Sequence, residues 1–230
     1  MRTAILADIH GNIEALQAVV MHAKTQRITG FLVAGDMVGY GANPNEVLQL
    51  LQEIKAVMIL GDHDKYSTNS EDIRLFNEYA QKAMLYTRNA LTPKNKELLN
   101  SLKETYEQVI EGRKVFMVHG SVNDHLKEYV HATTPDNVFS AMLKQAKADI
   151  LIMGHTHQPF VRRIMGKLII NPGSVGQPRD YTPKSDYCIL DTQYMQATIQ
   201  KVSYDIGKAA NKIVAAGLPR YLGDRLFQGR

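Results

Sequence analysis

Five of the eight histidines in this sequence fall beside four aspartates just after predicted strands. In chain order they are Asp8 and His10, then Asp36, then Asp62-His63-Asp64, then His119, then His155 and His157. Imidazole and carboxylate are the ligands that divalent first-row cations favour. The one-residue gap between Asp8 and His10 lets both side chains point to one side of an extended segment, and His155 and His157 repeat it. About seven potential ligands exceed what one tetrahedral or octahedral ion needs from a protein. Two ions sharing a carboxylate would use them all. Asp36, between Gly35 and a glycine-rich loop, is the natural bridge. Two metals roughly 3.5–4 Å apart are the usual machinery for hydrolysing phosphate esters.

Each residue alone has an ordinary structural explanation. An aspartate after a strand is usually a turn or cap residue, Gly35-Asp36 is a common turn, and His119 alone would read as a hydrogen-bonded structural histidine. Packing gives no reason for His155 and His157 on one face between Gly154 and Pro159. The joint occurrence carries the reading. His22, His125 and His131 join no such cluster.

The elements that must position these residues alternate from the start. Arg2 to Ala7 reads as a buried strand, followed by a helix striped by Ile13, Leu16, Val19 and Val20. A second strand spans Gly30 to Ala34, Pro44 opens a helix carrying Val47, Leu48, Leu51 and Ile54, and a third strand spans Ala56 to Leu60. This order predicts an α/β domain with a largely parallel sheet, whose ligands gather beyond the carboxyl ends of the strands. Two helical patterns between Ile73 and Leu102 interrupt the rhythm; Phe76, Tyr79, Ala80 and Ala83 stripe the first, and Pro93 opens the second. A hairpin turning at Glu111-Gly112 follows, then a helix from about Pro135 to Lys147 and a strand at Ile150–Met153. Strands and turns fill Pro159 to Val202, and tail helices begin near Asp205 and Leu218. No repeat or linker divides the chain, so the expectation is one domain over 1–230 with a helical insert at about 70–104 leaning over the site.

The 230 residues are 44% hydrophobic and 22% charged, which suits a globular chain and excludes disorder as the main state. No apolar run approaches a membrane span, and the first apolar stretch, Thr3 to Ala7, is too short for a signal peptide. The single cysteine, Cys188, sits in the apolar stretch Tyr187–Leu190, cannot form an internal disulfide and fits a reducing, cytoplasmic setting. The net charge of +4 comes from scattered lysines and arginines without an aromatic-interleaved run, so no specific nucleic-acid binding is expected.

Taken together, D-I-H-G-N at Asp8–Asn12, G-D at Gly35-Asp36, G-D-H-D at Gly61–Asp64, V-H-G at Val118–Gly120 and G-H-T-H at Gly154–His157 resemble the calcineurin-like metallophosphoesterases. The segment N-P-G-S-V-G-Q-P-R at Asn171–Arg179 and the closing R-L-F-Q-G-R are similar to a subfamily of small bacterial and archaeal phosphoesterases. The resemblance implies a four-layer αββα sandwich of two mixed β-sheets, which strand pattern alone does not distinguish from a doubly wound sheet. It implies a first metal on Asp8, His10 and His157, a second on Asp62, His119 and His155, and Asp36 as the bridge. Manganese is the foremost expectation, with Fe, Zn, Ni and Co also accepting this set. It further implies attack by a metal-bridging hydroxide, with His63 as the general acid and Asp64 orienting its imidazole.

Two departures from the family pattern stand out. The family motif reads G-N-H-D or G-N-H-E, whereas Asp62 stands here in place of asparagine, so three aspartates under two divalent ions leave net +1 instead of +2. The arginine that follows the G-D motif of protein serine/threonine phosphatases is replaced by Gly39-Tyr40-Gly41. Arg179, Arg88 with Asn89, and Asn12 are the candidates for gripping phosphate, and Asn12 equally fits a helix cap. The expected substrate is a small phosphodiester, phosphomonoester or nucleotide, with protein-phosphatase and dinucleoside-polyphosphatase activities inside the same class. The rival reading is a catalytically weakened scaffold that binds partner proteins; His63 backed by Asp64 speaks for the enzyme and Asp62 against it.

Overall fold

The computed structural model describes residues 1–68 and 72–230, so the first positions of the expected insert lie partly outside the described residues. Among the described residues, ten strands pair into two mixed five-stranded sheets. In the first, β1 (Arg2–Leu6) lies between β2 (Gly30–Val33), which is parallel to it, and β9 (Ser185–Asp191), which is antiparallel. The edge strands are β3 (Val57–Met58) and β10 (Gln196–Val202). The second sheet runs β4 (Thr105–Ile110), β5 (Arg113–Val118), β6 (Ile150–Ile152), β8 (Lys167–Asn171) and β7 (Phe160–Ile164), with β5, β6 and β8 parallel.

Strand alternation explains the layering. Along β1 and just beyond it, Ile5 and Ala7 pack with Val115, Met117, Ile150 and Ile152 of the other sheet. The alternate residues Ala4 and Leu6 pack with helices α1 (Ile13–Thr25) and α2 (Pro44–Glu53). On the far side, Leu151 and Ile169 meet Phe139, Met142 and Leu143 of α6 (Asp136–Gln145). Helix, sheet, sheet and helix are therefore stacked in the αββα order. A doubly wound sheet would bury both strand faces under helices; here one face of each sheet is buried under the other sheet.

Several boundaries differ from the sequence expectation. The third strand is only two residues long, because Leu60 turns away and donates its N–H to the carbonyl of Lys103 at 2.8 Å. Asp62–Thr68 forms a helix, α3, for which the sequence reading has no element. The insert supplies α4 (Glu78–Ala90) and α5 (Pro93–Ser101). Phe76 precedes α4 instead of striping it, since Asn77 caps the helix by accepting from the N–H groups of Tyr79 and Ala80. The tail folds as α7 (Ile206–Ala215), α8 (Arg220–Asp224) and a closing 3-10 turn at Arg225–Gln228.

Candidate metal centre

Every candidate ligand lies just beyond a strand of the parallel portions, where β1, β2, β3, β5 and β6 all end. Their side chains form two buried groups: Asp8, His10 and His157 in one, and Asp36, Asp62, His119 and His155 in the other. The convergence does not come from extended-strand alternation as the spacing suggested. Asp8, His10, Asp36, His155 and His157 all have positive φ, between 49° and 69°. Left-handed backbone turns the chain sharply at each of them, so Asp8 and His10 reach one group while His155 and His157 part to different groups. Such conformations cost about 1–3 kcal/mol per residue and concentrate at functional sites.

Asp36 stands between the two groups. Its Oδ2 is 3.6 Å from His10 Nε2 and 3.5 Å from His119 Nε2, while Oδ1 accepts the backbone N–H of His63 at 2.9 Å. Asp8 Oδ1 is 3.3 Å from His157 Nε2, and its Oδ2 accepts the His155 N–H at 3.1 Å. Asp62 Oδ1 is 3.5 Å from His119 Nε2.

Backbone carbonyls settle the imidazole orientation. His10, His119 and His157 each place Nδ1 on a carbonyl oxygen, of Val38 (3.1 Å), Ala34 (2.7 Å) and Gln177 (2.6 Å). A carbonyl only accepts, so Nδ1 carries the hydrogen and the Nε2 lone pair faces the cluster, as a metal-binding histidine requires. Asp8 Oδ1, Asp62 Oδ1, His119 Nε2 and His155 Nε2 are buried with no hydrogen-bond partner. Orphaned acceptors of this kind fit a divalent cation by charge and by donor type.

The electrostatics point the same way. Burial pushes the Asp8 carboxyl up to about 7 and lifts Asp36 well above the carboxylate range. Burial also holds His10 and His157 far below the ordinary imidazole value, and burial followed by the charge of His119 pushes His155 down to about 3. For Asp62 burial is outweighed by His63, His119 and His155, which keep it below the carboxylate range. The cluster thus presents neutral imidazoles at His10, His155 and His157; at His119 the carboxylates of Asp36 and Asp62 outweigh burial and lift the imidazole well above its ordinary value.

His63 lines the cavity above the cluster, 4.6 Å from the Tyr40 ring and 5.5 Å from Phe76, and its Nδ1 is buried without a partner. Burial, against the pull of Asp62, pushes its imidazole down to about 4. Gly39 makes room for it: φ there is +90°, and a Cβ would come within 2.6 Å of His63 Nδ1.

Asp64 does not orient that ring. Its Oδ1 accepts the N–H groups of Met37 and Val38, and its Oδ2 accepts that of Gly61, all at 2.9–3.0 Å, so it clamps the loops after β2 and β3 together. Asn12 is committed too: Oδ1 caps α1 through Ala15 N–H, Nδ2 donates to the Gly176 carbonyl at 2.9 Å, and the residue does not line the cavity over the cluster. Arg88 lies away from the cavity and donates Nε to the carbonyl of Tyr66 at 2.9 Å. Arg179 does line the cavity. So do Arg225, Tyr129 and Tyr221, which the sequence reading did not single out; for Arg225 the one signal was its place in the closing R-L-F-Q-G-R segment.

Two facing mixed sheets with aspartate–histidine clusters at their strand ends are the build of a metal-dependent phosphoesterase. Residues 1–195 match the model of the calcineurin-like phosphoesterase superfamily domain, and the chain belongs to that superfamily. It is 38% identical to the uncharacterized protein MJ0912 of Methanocaldococcus jannaschii over 99% of this chain and 98% of that one. Similarity to the phosphodiesterase YfcE of Escherichia coli is 26% identity over 85% of this chain and 90% of the other. A crystal structure of a metallophosphoesterase from Sphaerobacter thermophilus superposes with a TM-score of 0.85 at 28% identity, covering 100% of both chains. No helix among the described residues is long and apolar enough to cross a membrane.

Proposed function

We propose that the chain hydrolyses phosphate esters with two divalent cations, manganese foremost, seated on the two ligand groups and bridged by Asp36. The observation that carries this reading is the pair of clusters with Asp36 between them, its Oδ2 3.6 Å from His10 Nε2 and 3.5 Å from His119 Nε2, and three imidazoles locked by backbone carbonyls so that Nε2 faces inward. The chemistry bound cations supply is an acidified water and neutralisation of phosphate charge during in-line attack.

The chain's own residues do the rest. His63 lines the cavity and delivers a proton to the leaving oxygen. Asp64 keeps the backbone under His63 and Asp36 in register without touching the imidazole. Arg179 offers its guanidinium to the phosphate oxygens. No covalent enzyme intermediate is needed: Cys188 is fully buried, and burial pushes its thiol up to about 12. A small phosphorylated molecule suits a cavity of about 410 Å³ better than a folded phosphoprotein, and a reducing cytoplasm suits a chain with one buried thiol.

The test couples metal analysis to hydrolysis of an aryl phosphodiester and an aryl monoester. Two equivalents of metal, activity lost on chelation, and a His63→Ala rate that falls most for poor leaving groups are the expected results. Activity that survives removal of both metals, or an undiminished His63→Ala rate on a poor leaving group, defeats the mechanism.

A further inference from the structure

The segment N-P-G-S-V-G-Q at 171–177 carries the crossing from the second sheet to the first, between β8 and β9. β8 pairs with β6 and β9 with β1, so the segment runs past the ends of both strands whose turns bear candidate ligands. Its hydrogen bonds fall on both turns. On the Asp8 side, Ser174 Oγ donates to the Asp8 carbonyl at 2.7 Å, and the Gly176 N–H reaches the same oxygen at 3.0 Å. The Val175 N–H takes the neighbouring Ala7 carbonyl at 3.0 Å. Ser174 Oγ in turn accepts the Gln177 N–H at 2.8 Å, which leaves its own hydrogen for Asp8. The approach is close: a Cβ on Gly176 would fall 1.8 Å from the Ile9 carbonyl oxygen.

On the other side, the Gln177 carbonyl accepts the Nδ1 hydrogen of His157 at 2.6 Å. Asn171 Nδ2 donates to the Gly154 carbonyl at 2.7 Å and to Thr156 Oγ1 at 3.0 Å, and its Oδ1 accepts the Gly173 N–H at 3.0 Å. Both amide hydrogens of Asn171 are thus spent on the two residues that flank His155. Asn171 and Ser174 are fully buried, so each lost donation would strand an acceptor away from water.

The ligands concerned need such support. Asp8 and His157 sit in left-handed backbone, at φ +53° and +58°, a conformation that persists only where the surroundings hold it. Both belong to one ligand group, with His10. Asp36 and His119 of the other group are held from elsewhere, by the His63 N–H and the Ala34 carbonyl. The Ser174 hydroxyl therefore serves one group. Asn171 instead clamps the Gly154–Thr156 turn, from which His155 enters one group and His157 the other.

We propose that Ser174 is a positioning residue for the cation of the Asp8–His10–His157 group alone and Asn171 a positioning residue for both cations, so that this one crossing sets the occupancy of each seat separately. This rests on the two-cation reading above and deepens it.

Calorimetric titration of manganese into the chelator-treated full chain reads the affinity of each equivalent without any hydrolysis. Removing a group that orients a metal ligand costs about 10–100-fold in metal affinity. Ser174→Ala is therefore expected to weaken one equivalent by about tenfold or more and leave the other unchanged. Asn171→Asp keeps the size and the Gly173 bond but sets a carboxylate oxygen against the Gly154 carbonyl, and should weaken both. Asn95→Ala, which removes an amide donation from α5 to Asn45 Oδ1, should weaken neither. Two backgrounds tell the seats apart. In His119→Ala, where the other group is crippled, Ser174→Ala should weaken the remaining equivalent by the same factor; in His157→Ala it should leave the remaining one unmoved. Circular dichroism follows the fold of each variant, and Ser174→Cys, nearly isosteric with a weaker donor, replaces the alanine chain if that chain does not fold. Two equivalents at full affinity in the Ser174 variant, equal weakening of both, or the same loss in the His157→Ala background overturns the role of Ser174. Full affinity for both in Asn171→Asp overturns that of Asn171. A wild-type chain that takes up fewer than two equivalents defeats the two-cation reading itself, and the inference with it, before any variant is compared.

Discussion

Replacing Asn12 by alanine should cost stability and leave phosphate recognition in place. Its Oδ1 accepts the Ala15 N–H at 3.1 Å, and its Nδ2 donates to the Gly176 carbonyl at 2.9 Å. Loss of an N-cap costs about 1 kcal/mol. A buried carbonyl left without its donor adds about 1–3 kcal/mol. The combined loss of about 2–4 kcal/mol lowers the melting temperature by about 5–15 °C in a chain of this size. Asn12→Ser keeps a capping oxygen and loses only the link to Gly176, so it should fall between wild type and alanine. Asn12→Asp keeps the cap and favours the helix N-terminus, but sets a carboxylate oxygen against the Gly176 carbonyl. Thermal and urea unfolding followed by circular dichroism, beside kcat/KM on an aryl phosphodiester, reads both effects. Stability unchanged to within about 0.5 kcal/mol, together with a large fall in kcat/KM, would refute the capping argument and put Asn12 in contact with substrate.

Chelation should lower the melting temperature by several degrees, because it returns Asp8 Oδ1, Asp62 Oδ1, His119 Nε2 and His155 Nε2 to a partnerless state; manganese should restore it, and a melting curve indifferent to both speaks against the metal centre. Asp62→Asn should loosen metal retention and move the acid limb of the pH–rate profile down by about one unit, since one negative charge leaves the cluster; an unchanged profile sinks that reasoning. Gly39→Ala should impair turnover by displacing His63, which its Cβ would crowd at 2.6 Å, and a variant with wild-type kcat would show that the ring has slack. Asp186 concerns stability alone. Burial raises its carboxyl from 3.8 to about 7 although Lys201 Nζ lies 2.7 Å away, so the folded chain holds that proton more tightly than the unfolded one. Its contribution is therefore full below 3.8 and lost as pH rises through about 7. The stability difference between wild type and Asp186→Asn, from urea titrations across that window, should fall with rising pH; a flat difference contradicts it.

The strand ends were legible because hydrophobic alternation marks where each strand stops, and the residue types that follow are those that bind cations. Partition of the ligands into two groups followed from the resemblance, and the described side chains fall into the same groups. Hidden from the sequence was how they converge. Positive φ at five ligand positions is a property of backbone turns, and a one-residue gap cannot tell a left-handed turn from an extended strand. The roles of Asp64, Asn12 and Arg88 were equally hidden, since each depends on which distant backbone group lies within reach: Met37 and Gly61, Gly176, and Tyr66. A carboxylate next to a histidine in sequence need not touch its ring, because successive residues of a helix such as α3 point about 100° apart. Arg225 was out of reach for a simpler reason. Nothing local relates a tail turn to a loop that precedes it by more than forty residues, and the contact is made through Gly229 and Arg230 against Tyr181.

Charge ties Asp62 to the two arginines. The net +4 of the chain describes its surface lysines and arginines and not the site, whose floor carries Asp8, Asp36 and Asp62. Two divalent ions over three aspartates would leave the floor less positive than the family's usual asparagine, so Asp62→Asn should strengthen the hold on phosphate. Arg179 and Arg225 add positive charge along the cavity wall. Attraction for an anion then comes from these arginines as well as from any bound cation.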